Sequence, residues 1–203
     1  MTDFIQARNY NKASRSDVRL VVVHTMENPE KPGTARQVAK WFASQSAPQA
    51  SAHYCIDNLE VVQCVKDEDV AWAAPGANRD GIHIEHAGRA AQDEAGWHDE
   101  YSQAMLRLST ELAAELCTRY EIPAVKLTVE EVRAGKLKGF CGHNDVSLAF
   151  KKSTHTDPGK SFPWDEYLAM VREHFPLGTG EVLDEIADTD PAPPLDAPEV
   201  TQV

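Results

Sequence analysis

Two imidazoles and a carboxylate occupy positions suited to hydrolytic chemistry. His24 closes the apolar run Asp17-Val18-Arg19-Leu20-Val21-Val22-Val23-His24, His143 stands in Gly142-His143-Asn144-Asp145, and Asp157 stands in Thr154-His155-Thr156-Asp157-Pro158-Gly159. Three protein ligands of these types plus one water make an open catalytic zinc site, whereas a structural zinc takes four protein ligands. Zinc lowers the pKa of that water to ~7 and polarises a carbonyl, which is what amide hydrolysis requires. The chain holds eight histidines, so spacing alone does not single these out. The four cysteines, Cys55, Cys64, Cys117 and Cys141, form no CxxC pair. That argues against a zinc ribbon or a thioredoxin-like couple and for reduced, buried thiols.

The elements that must position these groups follow from periodicity. The β-branched run before His24 suits a strand buried on both faces. Thr34 and Gln37 have capping-box spacing and open a helix through Val38, Trp41 and Phe42. His53-Tyr54-Cys55-Ile56 and Val61-Val62-Gln63-Cys64-Val65 flank an Asx-type turn at Asp57-Asn58-Leu59-Glu60 and predict a hairpin. In Gly81-Ile82-His83-Ile84-Glu85-His86, alternation sends Ile82 and Ile84 to one side and His83 and Glu85 to the other. A stripe of Trp97, Tyr101, Met105, Leu108, Leu112 and Leu116 predicts one helix that Pro123 ends. A short helix from Thr128, with Glu131 at capping-box spacing, precedes a strand-like Phe140-Cys141-Gly142-His143. A last helix after Pro163 turns Trp164, Tyr167, Leu168, Val171 and Phe175 inward. The expected fold class is α/β, a central mixed β-sheet flanked by helices.

Composition narrows the function. A formal net charge of −12 over 203 residues argues against a nucleic-acid partner. Seven of the acids fall in residues 177–203, a Pro- and Ala-rich stretch with no Lys or Arg. The expected organisation is a catalytic domain over residues 1–176 and a disordered acidic tail over 177–203. No stretch approaches the ~20 apolar residues that span a bilayer, and the first residues lack a secretory signal.

The motifs, in order, are Val21-Val22-Val23-His24, Ser51-Ala52-His53-Tyr54, Ala71-Trp72-Ala73-Ala74-Pro75-Gly76, Ile82-His83-Ile84-Glu85, Gly142-His143-Asn144-Asp145 and Thr156-Asp157-Pro158-Gly159. Over roughly Arg19 to Phe175 this set resembles the amidase-2 and peptidoglycan recognition protein family, and most closely its phage amidases. The resemblance implies a zinc ion on His24, His143 and Asp157. It implies Glu85 as the group that activates the zinc water to cut the bond between N-acetylmuramic acid and L-alanine in peptidoglycan. His155 stands where many members carry Lys and would stabilise the oxyanion or protonate the leaving amine. Because imidazole titrates near neutrality, activity is expected to fall more steeply at alkaline pH than in a Lys-bearing relative. Ala73 departs from relatives with His after the Trp, so any role of that side chain is absent.

His53, Trp72 and Asn78 are the candidates for contact with substrate. His83 could back a metal ligand but is left unassigned, Asp145 is expected to cap backbone donors, and His86, His98 and His174 are read as structural or surface groups. The resemblance further implies a monomeric phage endolysin, held in the host cytoplasm until a holin-type pore delivers it to the wall. Two alternatives stand beside it: a cytosolic amidase recycling anhydro-muropeptides, and a peptidoglycan-binding module without activity, which the three filled ligand positions disfavour.

Overall fold

The computed structural model describes residues 2–13 and 17–175. The tail expected over 177–203 and the boundary at 176 lie outside the described residues.

The apolar run before His24 becomes β3 (Leu20–Thr25), buried along its whole length. It is flanked by two parallel partners, β7 (Gly81–His86) and β8 (Gly139–Gly142), so both of its edges and both of its faces are covered. That explains why it reads as a continuous apolar run rather than an alternation. The predicted hairpin forms as β4 (Tyr54–Ile56) and β5 (Val61–Gln63), antiparallel, with Asp57 Oδ1 accepting from the Leu59 and Glu60 amides in the turn. β4 lies parallel to β7, and the short β1 (Asp3–Phe4) adds parallel to β5. The six-stranded order is β1-β5-β4-β7-β3-β8, a mixed sheet as expected. A separate two-stranded ribbon pairs β2 (Tyr10–Asn11) with β6 (Val70–Ala71).

Strand alternation divides the core. Val21, Val23, Ile82, Ile84 and Phe140 face one side, against Met105, Leu112 and Leu116 of α3 (Glu100–Tyr120) and Tyr167, Leu168 and Val171 of α6 (Trp164–Glu173). On the other face, Leu20, Val22 and Cys141 meet α4 (Val129–Ala134) and α5 (His143–Phe150), while Cys55, Val62 and Cys64 meet α1 (Thr34–Ala43). Each fully buried aliphatic side chain contributes about 1.5–3 kcal/mol of transfer free energy, so these interfaces dominate stability. All four cysteines are buried and free.

Three local expectations are corrected. Helix α1 has no Thr34–Gln37 capping box: Gly33, at φ 83°, is its N-cap, and Asp57 Oδ2 reaches across from the β4–β5 turn to accept the Ala35 amide at 3.0 Å. The stripe from Trp97 is two helices, α2 (Glu94–Trp97) and α3, because Asp99 caps the second by accepting from the Ser102 amide. His143 does not continue the strand but opens α5. The capping box of Thr128 and Glu131 forms as predicted.

Candidate metal centre

Because β3, β7 and β8 are parallel, their carboxyl ends gather at one rim of the sheet, where α/β folds bind ligands. His24 is the penultimate residue of β3, on the face shared with Leu20 and Val22, and Glu85 stands opposite it in register on β7. β8 stops at Gly142, whose amide donates to Asp145 Oδ2 at 2.7 Å, and the chain turns there into α5 with His143 as its first residue. Asp145 thus caps backbone, as expected. It also takes an ion pair from Lys126 at 2.7 Å.

The third group arrives on a loop. The Asn144 amide donates to the carbonyl of Asp157 at 2.9 Å, holding the loop against the start of α5. Gly142 is needed for this approach, since a Cβ there would lie 2.6 Å from Pro158 Cδ. Gly159, at φ 92°, packs so closely on the Ala90 carbonyl that no side chain fits.

These elements bring His24, His143 and Asp157 together, all buried, with one donor atom from each within 4.8 Å of the others. Asp157 Oδ2 lies 3.2 Å from His24 Nδ1, and Oδ1 lies 3.4 Å from His143 Nδ1. Both imidazoles therefore point the same ring nitrogen at one carboxylate. Two nitrogens and a carboxylate oxygen converging in a buried pocket are a donor set that suits zinc. Burial lowers the His24 pKa, which outweighs the opposing pull of Asp157 and keeps the ring neutral, the form that can ligate. For Asp157 burial alone would raise the pKa, but the bonds from His143 and His24 prevail and hold the carboxyl below its ordinary range. With His24 neutral, its contact with Asp157 is a hydrogen bond to a carboxylate and not a full ion pair.

His155 stacks on His143 with ring centroids 4.3 Å apart, and its Nδ1 lies 3.4 Å from Asp157 Oδ1. Its side chain is 63% exposed, so it faces the open side of the cluster. Glu85 is half-buried, and its Oε2 is buried with no hydrogen-bond partner among the described residues. Burial first, then the charges of Asp157 and Glu27, push its pKa well above the ordinary carboxylate value.

The three residues considered for substrate contact are placed as follows. His53 is fully buried; its Nδ1 accepts from the His83 amide at 3.0 Å and its Nε2 meets the Asp69 carbonyl at 3.2 Å. Both ring nitrogens are thus engaged with backbone. Trp72 and Asn78 line a cavity of about 440 Å³ with Asn11, Val70 and Arg79. The Trp72 indole N–H donates to Asn11 Oδ1, and Asn78 Oδ1 accepts from the Ala73 and Ala74 amides. Another cavity, of about 580 Å³, lies beside the ligand loop, between Gly142, Asn144, Thr156, Pro158, Lys160 and Trp164.

Sequence reasoning missed one neighbour and left another unassigned. Glu27, just past β3 at φ 54°, accepts through Oε1 from the Thr25 hydroxyl at 2.6 Å and the Ala90 amide at 2.8 Å, tying the two rim loops together. His83 was legible from its alternation with Glu85; its Nδ1 lies 3.0 Å from His24 Nε2.

The model of the N-acetylmuramoyl-L-alanine amidase family matches residues 14–160. The N-acetylmuramoyl-L-alanine amidase A of Achromobacter lyticus is 32% identical over 176 residues, 80% of this chain and 88% of that protein. Among solved structures, the Staphylococcus aureus hydrolase AmiA in complex with its ligand has a TM-score of 0.65 at 16% identity, over 89% of this chain and 86% of that one. AmpD has a TM-score of 0.60 at 20% identity, over 83% and 93%. At these identities the two structures speak for the fold alone.

Proposed function

The chain belongs to the N-acetylmuramoyl-L-alanine amidase family, and from that premise we propose a zinc-dependent hydrolysis of the amide between N-acetylmuramic acid and L-alanine in bacterial peptidoglycan. The observation that carries the zinc reading is the convergence of two Nδ1 atoms, at 3.2 and 3.4 Å, on the two oxygens of one buried carboxylate. His24, His143 and Asp157 would hold the ion. When bound, zinc supplies Lewis-acid polarisation of a carbonyl and acidifies water at the site toward pKa ~7.

The remaining work falls to side chains. Glu85, with its raised proton affinity, accepts the proton of the attacking water as its oxygen bonds to the lactyl carbonyl carbon, then passes that proton to the nitrogen of L-alanine as the C–N bond breaks. His155, exposed beside Asp157, is our candidate donor to the oxyanion or to the leaving amine.

The test is elemental metal analysis with digestion of defined muropeptides by wild type and Asp157→Ala. Wild type is expected to carry one zinc per chain and to release peptides with a free L-alanine amino terminus. The variant should lose the metal and about a thousandfold in rate, the equivalent of ~4 kcal/mol of transition-state stabilisation. Full zinc occupancy and full activity in Asp157→Ala would overturn the assignment.

We extend the proposal to intact walls as substrate, with the chain acting as a monomeric lytic enzyme of the phage type, because the ordered motif set resembles phage amidases. Among the described residues no helix is long and apolar enough to cross a membrane; a separate holin-type pore is part of this proposal for delivery to the wall. Purified sacculi decide it: clearing of turbid suspensions supports lysis, and turnover restricted to soluble anhydro-muropeptides supports recycling.

A further inference from the structure

Behind the candidate ligand His24 lie two buried histidines, His83 and His53, that the hydrolytic reaction does not itself use. His24 and His83 are 2% and 0% exposed, and His24 Nε2 sits 3.0 Å from His83 Nδ1. His83 in turn stacks on His53, with ring centroids 5.6 Å apart and 15° between the planes, and its backbone amide donates to His53 Nδ1. The proton of His53 is thereby assigned. Its Nδ1 accepts, so Nε2 carries the hydrogen and donates to the Asp69 carbonyl at 3.2 Å. His53 is locked to the scaffold through both nitrogens, and its ring plane supports that of His83.

We propose that His83 is a positioning residue for the metal centre: once His24 ligates through Nδ1, the Nε2–H of His24 is accepted by His83 Nδ1, which holds the His24 ring with Nδ1 turned toward Asp157 and the metal. The chemistry is obligatory once His24 ligates through Nδ1. That nitrogen then carries no proton, Nε2 must carry it, and a buried N–H needs an acceptor. A ligand histidine held in this way has its ring angle set before the metal arrives and its Nε2–H satisfied once the metal takes the place of the Nδ1 proton. The more usual partner is a carboxylate or a backbone carbonyl. Here a neutral imidazole does the same work without adding negative charge next to Glu85, which is already burdened by Asp157 and Glu27. His83 consequently acts as acceptor at Nδ1 and keeps its own hydrogen on Nε2.

This inference rests on the reading of His24 as a zinc ligand, and the experiment separates the two. Apo protein is titrated with zinc against a chromophoric chelator for wild type, His83→Leu and His83→Gln, with the fold of each apo form checked by circular dichroism. Leu fills the space but accepts no hydrogen bond, so zinc affinity should fall about 10–100-fold. Gln offers an oxygen acceptor and should stay within a few-fold of wild type. Long-range 1H–15N correlation spectra of the zinc-loaded wild type should show His24 as the Nε2–H tautomer with a slowly exchanging proton.

Unchanged affinity in a folded His83→Leu, equal losses in both variants, or a rapidly exchanging His24 Nε2–H would each overturn the proposal. If His83→Leu does not fold, the Gln titration and the wild-type spectrum decide it alone. A wild type that takes up no zinc instead overturns the metal reading on which the inference stands.

Discussion

A carboxyl group that holds its proton above the usual range is a poor anion and a good proton store. Glu85 has that character because its Oε2 is buried without a partner among the described residues and because Asp157 and Glu27 repel its charge. Its proton affinity implies the sign of a pH effect. As the base we propose, Glu85 must be ionised to take a proton from water, so kcat/KM should fall along an acid limb as pH drops through its pKa. Glu85→Gln should lose that limb and cost about 10²–10⁴-fold in kcat while keeping full zinc content, since Glu85 is outside the donor set. Loss of zinc along with activity would recast it as part of the metal cradle. At this scale the sequence was partly legible. His24, His143 and Asp157 were selected by ordered motifs, whereas the burial of His53 could not be read from a residue type that is as often exposed as buried.

Elements carry the next set of consequences. Asp57, fully buried, gives one oxygen to the β4–β5 turn and the other to the Ala35 amide at the start of α1. One carboxylate therefore both shapes a hairpin and caps a helix 22 residues before it. Asp57→Ala should cost about 2–4 kcal/mol in urea unfolding, from charge-assisted bonds worth roughly 1.5–3 kcal/mol and amides left unpaired. Thr34→Ala should cost far less, because Thr34 accepts no capping bond. Comparable losses in the two would argue against the long-range cap. Gly159 joins the ligand loop to the loop after β7, and a methyl group there meets backbone at Ala90 rather than a yielding side chain. Gly159→Ala is expected to destabilise by more than about 2 kcal/mol and to weaken zinc binding, both measurable on one preparation. Wild-type zinc affinity in that variant would show that the loop tolerates the shift.

Across the whole molecule, sheet and helices are tied by a buried polar chain. His86 Nδ1 lies 3.0 Å from the His24 carbonyl, His86 Nε2 is 2.6 Å from Ser109 Oγ on α3, and Ser109 is 2.7 Å from Tyr167 Oη on α6. The strand that bears a candidate ligand is thus bonded through one imidazole to both helices on the opposite face. Burial lowers the His86 pKa to about 4. Relative to an unfolded value near ~6.5, the native state refuses a proton that the unfolded state accepts, so stability falls as pH drops below ~6.5 and levels off below about 4. By pH 5 the loss should be about 2 kcal/mol. Urea unfolding of wild type and His86→Gln at pH 7 and pH 5 checks this. The variant should be less stable at pH 7 but should lose about 2 kcal/mol less between the two pH values, and parallel losses would remove His86 from the acid response.

The sequence by itself determined the periodicities and the ordered motifs: the buried strand before His24, the hairpin, the alternation of β7, the Thr128 capping box and the family resemblance. Such features are local, set by side-chain period and turn chemistry within a few residues. Tertiary structure alone decided which face each histidine shares and with whom. Asp57 caps a helix it does not belong to, His143 leaves its strand because Gly142 and Asp145 turn the chain, and His83 meets His24 across a parallel pair 59 residues apart in sequence. Those relations follow from strand order and register, which no window of neighbouring residues encodes.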